Sequence, residues 1–169
     1  MFEFMTVREL YEMILSGEEF ETESIEYVEL DGWVRTNRDN GKVGFIALND
    51  GTYFRNCQIV YLQDTLTNYD EVKHISTGSA IRVLGKLKLT PGAKQPFEIE
   101  ATQVVVEGAC DEDFPLQKKR HSFEYMREIP HLRPRANTFY AIFRLRSVLS
   151  MAIHEFFQSQ GFVYVHTPI

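Results

Sequence analysis

The sequence predicts a mainly β fold with flanking helices: five strands closed into a small barrel, followed by the opening of a second, α+β unit. Three observations predict it. Apolar residues alternate with period two between residues 25 and 107. Clusters of Asn, Asp, Gly and Pro cut that stretch into five strands. After Glu107 the alternation stops, and a proline-punctuated basic stretch leads into a long apolar helix. The length, 169 residues, suits one domain, or one small domain plus part of another, and 44% hydrophobic with 25% charged residues excludes wholesale disorder.

Thr6-Val7-Arg8-Glu9 has the form of a capping box and predicts a helix to about Ser16, stopped by Gly17. Beyond Glu23, the residues Ile25, Tyr27, Val28, Leu30, Trp33 and Val34 predict a first strand, ended by a turn over 35–41 that includes Arg38. A second strand spans 43–48, Asn49-Asp50-Gly51 turns the chain, and 57–62 forms the third. Leu66, Tyr69 and Val72, spaced three apart, predict a short helix from Asp64 to about His74. Strands at 80–89 and 97–107 flank a loop whose Pro91, Gly92 and Pro96 exclude regular structure. Three strands, a short helix and two strands is the order of an OB-fold, a five-stranded Greek-key barrel that commonly holds single-stranded nucleic acid.

Residues 109–136, with Pro115, Pro130 and Pro134 among charged side chains, read as a hinge. Asn137 or Thr138 is expected to cap a helix running to Gln160, with Gly161 as its stop. Thirteen of the 19 residues from Phe139 to Phe157 are apolar, which demands burial on more than one side. Residues 162–165 have the look of a strand without a partner.

The net charge of −6 hides an uneven distribution. Residues 1–31 hold ten acids and one base, whereas 117–146 hold eight bases and two acids. Such a basic run can track a phosphate backbone on an otherwise acidic protein, but charge alone favours a solvated or internally paired face. Cys57 and Cys110 lack CxxC spacing and nearby histidine pairs, so no metal site is expected. No apolar stretch could span a bilayer, and the first residues lack a secretory signal's pattern, so a cytoplasmic protein with no membrane partner is expected. No P-loop, glycine-rich nucleotide fingerprint or Ser-His-Asp set is present, and no residue is assigned a catalytic role.

Four groups of residues go further. Gly32-Trp33-Val34, Arg38-Asp39-Asn40-Gly41, residues 45–50 and Gln58-Ile59-Val60 resemble the anticodon-binding domain shared by aspartyl-, asparaginyl- and lysyl-tRNA synthetases. Residues 117–122 with 131–135 resemble the hinge of the asparaginyl family in particular, and the long helix followed by residues 161–168 resembles motif 1 of class II synthetases. The resemblance implies an N-terminal helical segment (1–22), an OB-fold anticodon-binding domain (23–108), a hinge (109–136) and the incomplete start of a catalytic domain (137–169). Motifs 2 and 3, which in that family hold ATP and the amino acid, are not among these residues. The intact enzyme would use ATP and Mg²⁺ to attach asparagine to its tRNA, whereas this portion would need no cofactor and should be catalytically inactive alone.

By position, the resemblance implies that Phe45 stacks on the central anticodon uridine, Gln58 reads its edge, Arg38 contacts the base or its phosphate, and Glu100 accepts from the first base, a guanine or its modified form. These residue types suit the task. Stacking supplies affinity without choice. A Gln amide offers a donor and an acceptor side by side, matching O4 and N3–H of uracil, although half a turn would match it to cytosine. A carboxylate can take N1–H and the N2 amino group of guanine. Glu98, two residues from Glu100 on the same strand face, competes for that assignment. Read without the family pattern, Phe45 would be barrel core and Gln58 and Glu100 solvated strand positions.

Lys118, Lys119 and Arg120 are candidates for the tRNA backbone, with pairing to the catalytic domain an equal alternative. Phe139, Phe143, Phe156 and Pro168 are candidates for a homodimer interface, and the expected partners are a tRNA anticodon stem-loop and a second subunit, not DNA. An aspartyl- or lysyl-specific synthetase, a stand-alone OB-fold module for single-stranded nucleic acid, and a protein-interaction barrel with no nucleic-acid function remain the alternatives.

Overall fold

The chain divides into two units, Met1–Lys119 and Arg120–Ile169, in a computed structural model that describes residues 2–16, 26–111 and 113–168. The first unit holds β1 (Glu3–Phe4), α1 (Val7–Leu15), β2 (Tyr27–Asp39), β3 (Val43–Asn49), β4 (Cys57–Leu62), α2 (Tyr69–Val72), β5 (Ala80–Leu89) and β6 (Phe97–Gly108). Strand order is β1-β2-β3-β4-β6-β5, and β2 also pairs with β5. The five longer strands therefore close into the expected OB-fold barrel, with β1 added parallel to β2.

One long strand serves two walls. Residues 27–33 of β2 pair with β5, residues 33–39 pair with β3, and the register slips between Val34 and Thr36. Such a bulge lets a strand bend from one side of a barrel to the other. Alternation then fills the interior: Val28, Leu30 and Val34, Ile46 and Leu48, Cys57, Ile59 and Tyr61, Ile81 and Val83, and Phe97, Ile99, Ala101 and Val104 are all buried. Two glycines permit close approach. A Cβ on Gly85 would lie 2.5 Å from the Glu100 carbonyl oxygen, and one on Gly44 would lie 1.9 Å from Cζ of Tyr61.

Helix α1 begins with the expected capping box: the Thr6 hydroxyl accepts from the Glu9 amide, and the Glu9 carboxylate accepts from the Thr6 amide. The loop between β3 and β4 holds the helix in place. Asp50 Oδ2 accepts from the Val7 amide at 2.8 Å, the Arg8 guanidinium donates to the Thr52 carbonyl, and Tyr11 stacks on Tyr53 with centroids 4.5 Å apart. Gly17 and Ile25 lie outside the described residues.

Several expectations are corrected. The helix expected from Asp64 shrinks to α2, because the Asn68 side chain is drawn to the Val104 carbonyl at 2.9 Å and makes no cap bond; Leu66, Tyr69 and Val72 are nonetheless buried. β1 is too short for alternation to reveal. Part of the expected hinge belongs to the first unit, where Cys110 N–H donates to Ser79 Oγ at 3.0 Å. The rest contains α3 (Phe123–Glu128), capped by the Ser122 hydroxyl accepting from the Tyr125 amide, and a 3-10 turn at Arg133–Arg135.

In the second unit α4 (Asn137–Ser159) is capped by neither Asn137 nor Thr138. Ala136 occupies the cap position, left extended where the 3-10 turn closes on the Arg133 carbonyl, and it makes no side-chain cap bond. Gly161 follows the helix with φ +86°. Residues 162–168 have no regular structure, because among the described residues of this unit no strand offers itself as a partner.

Candidate nucleic-acid interface

The barrel wall formed by β2, β3, β4 and β6 carries two rows of outward-pointing side chains. Gly44, Ile46 and Leu48 are buried, so the residues between them, Phe45 and Ala47, face outward. The same alternation turns Gln58 outward from Cys57 and Ile59, and Glu98 and Glu100 outward from Phe97, Ile99 and Ala101. Register then sets neighbours: Arg38 opposes Phe45, Phe45 opposes Val60, and Val60 opposes Glu100. In the next row Thr36 opposes Ala47 and Ala47 opposes Gln58, whose Nε2 donates to Glu98 Oε2 at 3.3 Å. Arg38, Phe45, Gln58 and Glu100, drawn from four strands, thus share one face.

Arg38 is not in a turn, as the run of polar residues suggested, but in the paired end of β2. Its neighbours hold it there. The Asn37 amide donates to the Val72 and Ile75 carbonyls at 2.8 and 3.3 Å and accepts from the Tyr61 hydroxyl at 2.9 Å. The Asp39 carboxylate accepts from the Tyr69 hydroxyl and, at 2.8 Å, from the Gly41 amide. With both flanking side chains tied to the barrel end, Arg38 projects into solvent and makes no ion pair among the described residues. Burial, then the Asp39 hydrogen bond and charge, push Tyr69 up to about 12; burial likewise pushes Tyr61 up. Both phenols therefore remain donors at neutral pH.

Charges on this face are mixed. The Glu100 carboxylate is paired with Lys88 Nζ, and Lys86 Nζ lies 2.5 Å from Glu26 Oε1. The face offers a half-exposed aromatic ring, a side-chain amide, a free guanidinium and two carboxylates, the groups needed to stack a splayed-out base and hydrogen-bond its edge. Sequence reasoning missed Asn37, Asp39, Tyr69 and Lys88, because their roles depend on contacts between strands and α2 that carry no local signal.

The other candidates are not on these four strands. Lys118 and Lys119 are exposed, in irregular backbone at the end of the first unit, and Arg120 begins the second. In the second unit Phe139 and Phe143 are half-buried under the Arg133 guanidinium, which lies 5.5 and 5.7 Å from their ring centroids, while Phe123 meets Phe139 edge-on. Phe156 and Pro168 are exposed. Cys57 is buried, which pushes its thiol up, and no group of three or more His, Cys, Asp or Glu among the described residues could hold a metal ion. No helix among the described residues is long and apolar enough to cross a membrane.

A family model described as "OB-fold nucleic acid binding domain" matches residues 28–107. The chain is 62% identical over 138 residues to the asparagine--tRNA ligase of Acetivibrio thermocellus, covering 82% of this chain and 30% of that protein. It is 52% identical over 165 residues to the asparagine--tRNA ligase of Alkaliphilus metalliredigens, covering 98% of this chain and 34% of the relative. Among solved structures, asparaginyl-tRNA synthetase from Pyrococcus horikoshii complexed with asparaginyl-adenylate is similar at a TM-score of 0.77 and 27% identity, over 90% of this chain and 36% of that one. The chain spans about a third of the length of the curated relatives it matches. With more than half its residues identical over nearly its full length, the chain is homologous to asparagine--tRNA ligases over about a third of their length, and its residues 28–107 form an OB-fold nucleic acid binding domain.

Proposed function

We propose that this chain is the anticodon-reading part of an asparagine--tRNA ligase. The carrying observation is the shared outer face: Phe45 and Gln58 sit one register step apart on β3 and β4, with Arg38 beside the ring and Glu100 beyond Val60. Phe45 stacks the central uridine, Gln58 reads its edge, and Arg38 contacts that base or its phosphate. Glu100 accepts from a guanine in the first position, exchanging Lys88 for the base. Lys118, Lys119 and Arg120 add contacts to the tRNA backbone.

The whole protein would activate asparagine with ATP and Mg²⁺ and transfer it to tRNA in the cytoplasm; no residue described here is assigned to that chemistry. α4 would meet a second subunit, and its exposed Leu145, Val148, Leu149, Met151 and Phe156 support that reading.

The test is binding of a stem-loop bearing the asparagine anticodon, by fluorescence anisotropy at several salt concentrations. Phe45→Ala should cost about 1–3 kcal/mol, Gln58→Ala should also weaken binding, and affinity should fall with added salt. Competition with aspartate and lysine anticodon loops decides among the three specificities. Affinity untouched by both substitutions overturns the assignment.

A further inference from the structure

A glutamine can tell uracil from cytosine only if its amide is kept from turning over. Uracil presents an acceptor at O4 beside a donor at N3–H; cytosine presents a donor at N4 beside an acceptor at N3, the reverse order. A freely rotating Gln58 would serve both. The barrel supplies the missing constraint: Gln58 Nε2 donates to Glu98 Oε2 at 3.3 Å, from the outward position next to Gln58 on the parallel strand β6. An ionised carboxylate only accepts, so its own chemistry dictates that the amide nitrogen, and never the oxygen, faces β6. Turning the amide over would set Gln58 Oε1 against the Glu98 carboxylate, exchanging a charge-assisted hydrogen bond for repulsion. No other hydrogen bond holds the Gln58 side chain among the described residues.

We propose that Glu98 is the residue that sets base specificity at the central anticodon position, by fixing which way Gln58 faces. It is a positioning residue: it need not touch the base. With one N–H committed to Glu98, Gln58 presents its second N–H and its carbonyl in a single fixed order to a base stacked on Phe45. That order suits one pyrimidine and opposes the other. The inference also separates the two neighbouring carboxylates. Glu100 is held by Lys88 and remains available to exchange it for a base, whereas Glu98 is occupied with Gln58. It rests on the reading of Gln58 as the edge reader, and the experiment separates the two.

Stem-loops identical except for U or C at the central anticodon position are titrated against the full chain and three variants. The native chain should prefer U, and Gln58→Ala should abolish the preference together with much of the affinity. Glu98→Gln keeps the shape but can either accept or donate, so both amide orientations become satisfied. It should hold the U loop nearly as well while the U:C ratio falls at least about fivefold, within what one charge-assisted hydrogen bond can supply. Glu98→Ala should lower the ratio too. A purely structural contribution of Glu98 would weaken both loops alike and leave the ratio alone. Collapse of the ratio in Gln58→Ala with its full survival in both Glu98 variants overturns the proposal while sparing the edge-reader assignment. Survival of the ratio in Gln58→Ala overturns both. If Glu98→Gln changes affinity according to the first anticodon base instead of the central one, Glu98 touches that base directly and the proposal is wrong.

Discussion

Gly44→Ala tests the packing that supports the interface. Gly44 lies in β3 directly opposite Tyr61 of β4, and the fully buried phenol ring occupies the space a side chain would need. An added Cβ would sit 1.9 Å from Cζ and 2.2 Å from the hydroxyl oxygen of Tyr61. Recovering ordinary van der Waals contact requires the ring to withdraw on the order of 1.5 Å. The ring has little freedom to do so: its hydroxyl donates to Asn37 at 2.9 Å, and its face meets Tyr69 at a centroid distance of 5.4 Å. Overpacking costs about 1–3 kcal/mol, and loss of the Asn37 bond adds about 1, for a total of ~2–4 kcal/mol. Urea unfolding followed by the single tryptophan, Trp33, reads this as a lower midpoint at unchanged slope. The decisive control is Tyr61→Leu. Without the ring, alanine at position 44 should be nearly neutral, since glycine itself disfavours a strand. A coupling of at least ~1.5 kcal/mol between the two sites is expected. Equal cost in both backgrounds, or a cost below about 1 kcal/mol in the native chain, refutes the reasoning.

Two further perturbations probe the elements around the barrel. Thr6→Ala removes the α1 cap and should cost about 1 kcal/mol by urea unfolding. The Thr6 backbone and hydroxyl hold the Glu9 carboxyl below its usual range, so the Glu9 contribution is fully present above the ordinary glutamate range and is lost as pH falls through the lowered value. The acid limb of the stability profile should therefore flatten in Thr6→Ala. At the other extreme, Tyr69 is raised to about 12, so its contribution is complete below the ordinary tyrosine value and fades as pH climbs towards 12. Tyr69→Phe should show a shallower alkaline loss of stability, and an unchanged alkaline limb would mean that the Asp39 contact contributes nothing.

Legibility in the sequence followed the range of the interactions. Strands β3 to β6 were readable to within a residue, since one face of each is packed on the core and alternation records that directly. The α1 cap was readable because its whole mechanism lies within four residues. The end of β2 was not. Asn37-Arg38-Asp39 has turn chemistry, and pairing with β3 together with contacts to α2 and Tyr61 holds it extended. The cap of α4 failed for a similar reason: the 3-10 turn before it places Ala136, not a polar residue, at the boundary.

By itself, the order of apolar and turn-forming residues determined five strands with a short helix after the third, the order of an OB-fold, because a period of two commits every second side chain to the interior. The resemblance to the synthetases, and not that order, singled out Arg38, Phe45, Gln58 and Glu100 as residues to stack or hydrogen-bond a base. Only the tertiary structure decided that Phe45, Gln58, Arg38 and Glu100 meet on one face, and that Glu98 faces the Gln58 amide. Those relations depend on register between strands as much as forty residues apart in the chain. Register is set by a bulge at Val34–Thr36 and by glycines at 44 and 85 whose missing side chains let neighbouring strands and rings come close.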